Sequence, residues 1–176
     1  MTGCGRASGR ALHLRVAGLG MFSNRVALCA ATWFGAGYMP RAPGTAGALA
    51  AVPLHWGLMW MGAGAEAAAI VLIVIVGIWS AQRIHEASGV SDPQIVVIDE
   101  VAGVLIALDV AGASASAQVV AFGAFRLFDI FKPWPISRLE HLRPEGVGIM
   151  ADDIGAGFAA AVCVWLWSST VIWSAR

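Results

Sequence analysis

EAAAIVLIVIVGIWSAQRI, residues 66–84, decides the fold of this chain. Between Glu66 and Arg83 it carries no charged side chain. Coiled as a helix at roughly 1.5 Å per residue, it approaches the roughly 30 Å thickness of a bilayer core. The rest of the 176-residue chain is built in the same way, 59% hydrophobic and only 12% charged. An ordinary soluble domain carries roughly 25% charged residues. Mean hydropathy is +0.75, and eight Trp stand against one Tyr, a bias expected where rings sit at the edge of a bilayer. The competing reading is a very apolar soluble domain or an oligomer core. Membrane embedding accounts better for both the composition and the long run.

Working outward, long apolar runs alternate with Gly, Pro and charge, and no strand-and-turn rhythm appears. The pattern predicts an all-α protein of one domain. Upstream, residues 26–38 form a short apolar segment that breaks at Pro40–Gly44. A helix is expected from Thr45, as N-cap, to about Met61, blemished by Pro53 and His55 and ended at Gly62–Gly64. Downstream, residues 82–93 are polar and read as a loop or helix end. Two apolar pieces follow, Ile95–Asp109 and Ala117–Phe131, separated by the flexible residues 112–116. Each reaches roughly 22 Å as a helix, so they are expected to pack as a hairpin that enters the membrane partway or lies within a bundle. Pro133 and Pro135 end the second piece. Residues 136–151 are polar and Gly-containing, and Ile154 to about Trp173 is a final spanning candidate.

Charge now tests this order. Residues 1–25 are basic, with Arg6, Arg10, Arg15 and Arg25 and no acid, which suits either anionic lipid head groups or a solvated tail. No long apolar stretch with a small-residue cleavage site stands near the start, so no cleaved signal peptide is expected. With this segment in the cytoplasm and 45–61 and 66–84 paired, Asp99, Glu100, Arg126, Asp129, Lys132, Asp152 and Asp153 all gather at one membrane face. Convergence there favours an interfacial site over a pore.

Ionisable residues beside a membrane are costly and therefore functional candidates. Asp99-Glu100 follows the apolar run IVVI, and Asp152-Asp153 precedes another apolar stretch. Such pairs can be helix N-terminal acids. Here each has a glycine four residues on, Gly103 and Gly157, which lets helices approach closely. Brought together, the acids would repel unless a cation sat between them, and hard oxygen donors suit Mg²⁺. Arg126 and Asp129 are three apart and share a helix face. Lys132 precedes Pro133, which predicts an extended residue free to swing toward the same interface. Arg and Lys are natural partners of phosphate oxygens. Gly44-Thr45 opens a helix and could present backbone N–H groups to an anion, though the short loop is no Walker motif. Gly146-Val147-Gly148 reads as a loop beside the Asp pair. The histidines fit no metal pattern: His55 reads as packed, and His85 and His141 as solvated. Cys4, Cys29 and Cys163 lack metal or redox spacing and read as reduced.

Four blocks, PGTAGALAAVP (43–53), IVVIDEVAG (95–103), FRLFDIFKPWPI (125–136) and GVGIMADDIGAG (146–157), give the chain its resemblance to the phosphatidylglycerophosphatase A family. They stand in the family's order across residues 40–160. Ala48 departs from it where a small hydroxyl residue is expected, and residues 1–25 match nothing in it. The resemblance implies a compact membrane-associated helical bundle over 26–176, with a central helix surrounded by others and several membrane-embedded helices. It implies a Mg²⁺-dependent phosphatase of a bacterial inner membrane, facing the cytoplasm, that converts phosphatidylglycerophosphate to phosphatidylglycerol. Its partners would then be a phospholipid and the membrane, not nucleic acid. In such a site Asp99, Glu100, Asp152 and Asp153 would hold Mg²⁺, Arg126 and Lys132 would clamp the phosphomonoester with help from Gly44 and Thr45, and Asp129 would orient Arg126 or accept a proton. The nucleophile is a metal-activated water or a carboxylate; the sequence leaves both open.

One rival is an ion or proton carrier with a carboxylate relay, whose acids should spread through the membrane depth. The signatures of CDP-alcohol phosphotransferases, histidine-dependent lipid phosphatases and Asp-x-Asp phosphatases are absent.

Overall fold

In a computed structural model, which describes residues 22–62 and 64–174, every regular element is helical. Helix α1 spans Phe22–Ala31, and a single 3₁₀ turn, Ala36–Tyr38, leads to α2, Pro43–Met61. Next come α3, Ala65–Ser88; α4, Ile98–Ala111; α5, Ala115–Phe131; the short α6, Ile136–Leu139; and α7, Glu145–Ser174. The basic N-terminal segment lies outside the described residues except for its last four positions, which belong to α1.

Several boundaries depart from the sequence expectation, each for a local reason. α2 starts at Pro43, because a proline in the first turn gives up an N–H that would go unbonded anyway. Ala42 takes the left-handed cap at φ 52°, and Thr45 sits inside the helix rather than capping it. Of the two readings of residues 82–93, loop or helix end, the second holds as far as Ser88: α3 continues until Gly89, at φ 68°, closes it. The largest correction concerns Gly146-Val147-Gly148, read as a loop and found in the first turn of α7, which starts at Glu145 rather than near Ile154. Gly146 and Gly148 are close-packing positions: a side chain on Gly146 would run into Ile78 and Gln82, and one on Gly148 into the carbonyls of Glu140 and Leu142. Gln82 also accepts a hydrogen bond from the Gly146 N–H at 2.9 Å, tying α3 to the start of α7.

α4 is the central helix. Ile98, Val101, Val104, Leu105 and Leu108 are buried along its length, and of its residues only Asp109 and Val110 are exposed. At roughly 21 Å it is too short to cross a bilayer and is wrapped by α2, α3, α5 and α7 instead. The outer helices reverse the usual soluble pattern. α3 exposes Val71, Leu72, Ile75 and Trp79, and α7 exposes Phe158, Val162, Trp165 and Leu166. α3 and α7 are each long and apolar enough to cross a membrane. Apolar surface of that extent is stable only against lipid or another apolar partner, so the fold is a membrane-associated helical bundle.

The chain order fixes two ends. One holds Gly62, Gly64 and the turn at 112–114, where buried His55 bonds Glu66 through Nδ1 at 2.7 Å and lies 3.2 Å from the Gly112 carbonyl through Nε2. Gln118 donates to the same carbonyl at 2.6 Å. His55 is therefore packed, as its surroundings in sequence imply, but as a polar latch joining α2, α3 and the α4–α5 turn. The other end holds the starts of α2, α4 and α7 and the end of α5.

Candidate active site

Two glycines allow the acidic residues to meet. α4 and α7 cross with Gly103 against Gly157, so closely that a side chain on Gly157 would overlap the Gly103 carbonyl and one on Gly103 the Asp153 carbonyl. Asp99 and Glu100, in the first turn of α4, thereby face Asp153, two turns into α7. One oxygen from each of the three carboxylates lies within 4.8 Å of the others. Asp99 and Asp153 are buried, and Asp99 accepts the Glu100 N–H at 3.0 Å. Glu100 Oε2 is enclosed with no hydrogen-bond partner.

Burial raises the Asp99 carboxyl well above its ordinary range, and the neighbouring Glu100 adds to the effect. Burial likewise pushes Glu100 up to about 8. Three crowded acids without a cation among them resist ionisation, and a divalent ion would reverse that preference. The donor set, all carboxylate oxygen with one atom left unsatisfied, fits Mg²⁺.

The cationic half stands beside it. Arg126 is held by Asp129 at 2.5 Å, the intrahelical pair that their spacing predicts. Lys132 is not extended as expected before proline; it caps α5 in the left-handed region at φ 41°. From there its ammonium reaches Asp152, with Glu140 at 3.4 Å. Burial opposes the Lys132 charge, but the bond to Asp152 outweighs it and raises its pKa. The geometry therefore separates the two adjacent aspartates: Asp153 joins the acidic trio and Asp152 holds Lys132.

Both halves line one cleft of about 460 Å³. Gly44 lines it too, and a side chain there would strike Glu100, so this glycine makes room for the acid. Thr45 is half-buried beside the cleft without lining it, and Ala48 is fully buried in the core. Sequence reasoning missed Asp92 and Gln94, which line the cleft, and Glu140, which meets Lys132. Asp92 and Gln94 flank Pro93 just ahead of the IVVIDE run, a proximity that was the available signal. Among described cysteines, Cys29 and Cys163 are free.

A membrane-associated helical bundle with a charged cleft at one end, where a carboxylate trio adjoins carboxylate-held cations, defines a class suited to phosphate chemistry at the bilayer. The sequence profile of the family Phosphatidylglycerophosphatase A matches residues 29–168. Phosphatidylglycerophosphatase A of Escherichia coli K12 is 34% identical over 132 residues, covering 74% of this chain and 77% of that protein. Its counterpart in Haemophilus influenzae is 37% identical over 137 residues, 76% of this chain and 83% of its own. A Bacteroides thetaiotaomicron protein, provisionally named a phosphatidylinositol-3-phosphatase, is 37% identical over 145 residues, 76% of this chain and 87% of its own. No solved structure matches. The chain belongs to the phosphatidylglycerophosphatase A family.

Proposed function

We propose that the chain hydrolyses the terminal phosphomonoester of phosphatidylglycerophosphate, yielding phosphatidylglycerol and inorganic phosphate, with Mg²⁺ as cofactor. The observation that carries this reading is the pairing, in one cleft, of a buried carboxylate trio with Arg126 and Lys132. Asp99, Glu100 and Asp153 would hold the metal, which when bound supplies Lewis-acid stabilisation of phosphoryl oxygens. Arg126 and Lys132, which line the same cleft, take the phosphate beside it. Asp129 and Asp152 keep those cations aimed, so little reorganisation accompanies binding. Water is the simpler nucleophile, and trapping a labelled phosphoenzyme would replace it with a carboxylate.

The site would face the cytoplasm of a bacterial inner membrane. Arg41, Arg138 and Arg143 are exposed on segments around the cleft end, whereas the sequence at 62–64 and 112–116, toward the far end, carries no Lys or Arg, a distribution that follows the positive-inside tendency. An ion carrier fits less well, because its acids should line a path, whereas Glu66, at the far end, is sealed against His55.

Phosphate release from phosphatidylglycerophosphate in detergent, with Mg²⁺ or with chelator, tests the reading, with phosphatidylinositol 3-phosphate as the competing lipid. Activity should require Mg²⁺ and fall by about 100-fold or more in Asp153→Asn and Arg126→Ala. Undiminished turnover in either variant would sink the site.

A further inference from the structure

The phosphate end of the substrate has a place; the structure also assigns one to its tail. We infer that the outward face of α5 is the track along which an acyl chain of the phospholipid lies while its phosphate occupies the cleft, an inference that rests on the lipid-phosphatase reading. Val119, Gly123, Leu127 and Ile130 recur at spacings of four, four and three residues, which puts them on one helix face. Val119, Leu127 and Ile130 are 73%, 53% and 65% exposed, with Phe131 beside them at 73%. Gly123 interrupts the stripe, and a side chain there would meet nothing within 4 Å. The result is a shallow apolar trough with a low point at Gly123.

Other outer helices also expose apolar surface, and what distinguishes α5 is where its face leads. Ile130 belongs both to the trough and to the lining of the cleft. Arg126, the phosphate-side cation, lies four residues before Ile130 and borders the same face. Lys132 closes the helix at the same end. One helix thus places cations and an apolar track in the head-to-tail order of a phospholipid. The dimensions agree: Val119 to Phe131 covers roughly 18 Å at 1.5 Å per residue, close to half of a roughly 30 Å bilayer core. Trp134, 71% exposed just beyond α5, marks the depth at which head group gives way to chain.

The test uses the full-length protein with Gly123→Trp, which fills the trough without touching a charged group. Gly57→Trp serves as control, because Gly57 is another exposed outer glycine with nothing within 4 Å, on α2. Each is assayed on long-chain phosphatidylglycerophosphate and on its counterpart with six-carbon chains. Gly123→Trp should lower kcat/KM for the long-chain lipid by about tenfold and leave the short-chain lipid within about twofold, since the lost interaction is with the chain alone. Gly57→Trp should change neither. Equal rates on both lipids, or an equal loss on both, would overturn the track. A second arm does not depend on turnover: a phospholipid with a photoreactive group along its acyl chain should label residues 119–131 in preference to α3 and α7. Labelling confined to α3 or α7 would overturn the inference as well. If the unaltered protein turned over neither lipid while α5 was labelled, the phosphatase reading would fail and the track would stand.

Discussion

Removing the charge of Glu100 should pull activity and stability in opposite directions. The residue shares a crowded, largely buried space with Asp99 and Asp153, and one of its oxygens has no partner. Glu100→Gln keeps the shape but deletes a donor to the metal, so phosphate release should fall by about 100-fold or more. In chelator the same variant should melt higher, gaining on the order of 1 kcal/mol, as often happens when a site organised for function is relaxed. The native protein should show the matching pH dependence. Its Glu100 titrates at about 8 when folded against an ordinary 4.5. Between those values the unfolded chain loses its proton while the folded chain retains it, so folding weakens as pH rises through that window. Melting in chelator should therefore decline from pH 5 to pH 8, and Mg²⁺ should flatten the decline by binding the ionised trio. A pH-independent melt in chelator would contradict the assigned environment. Much of this site was legible from residue spacing, because Arg126 and Asp129 sit a helical turn apart whatever the tertiary fold. The division of labour between Asp152 and Asp153 was not. Adjacent residues on a helix point roughly 100° apart, and only the packing of α7 shows which one faces α4 and which faces Lys132.

At the scale of elements, the crossing of α4 and α7 is the step on which the trio depends. Gly157→Ala adds one methyl group where no space exists, against the backbone of Gly103. Overpacking of this kind should cost about 1–3 kcal/mol and move Asp153 away from Asp99. The variant should melt lower in detergent and need more Mg²⁺ for half-maximal activity. Gly123→Ala is the matched comparison: it lies in open space on α5, and replacing a helical glycine there should be neutral or stabilising by up to about 1 kcal/mol. Equal behaviour of the two variants would show that the crossing is slack. The sequence reveals these glycines as permissive positions at i+4 from the acids, which was enough to anticipate a close crossing. It misleads at Gly146 and Gly148. A glycine pair in a polar stretch has the composition of a loop, but inside α7 the neighbouring carbonyls of Ile78, Glu140 and Leu142 leave no room for a side chain, which explains why both positions are glycine. Lys132 misleads in the same way: the steric bias of a following proline gives way to the demand for a left-handed cap.

For the whole molecule, the two ends of the bundle differ in chemistry, and that difference gives a direction across the membrane. The cleft end gathers the catalytic candidates and the exposed arginines, while the opposite end is closed by the His55–Glu66 latch and a Gly- and Ser-rich turn. Alternating long apolar runs were enough to foresee this two-ended arrangement. The latch was not foreseen, because its partners are 11 residues apart for His55 and Glu66 and 57 apart for His55 and Gly112. Orientation can be read by cysteine accessibility. Cys29 is exposed and Cys163 half-buried, so all native cysteines should first be replaced. A single cysteine at Ser91, exposed near the cleft, should then react with a membrane-impermeant maleimide only when the cytoplasmic face is open, as in inverted vesicles. A single cysteine at Ser114, exposed at the far turn, should react in right-side-out vesicles. Labelling of both positions from the same side would mean that the charged cleft and the far turn do not lie across the bilayer from one another. The placement of the phosphate chemistry at the cytoplasmic interface would then have to be abandoned, even if the cleft itself remained active in detergent.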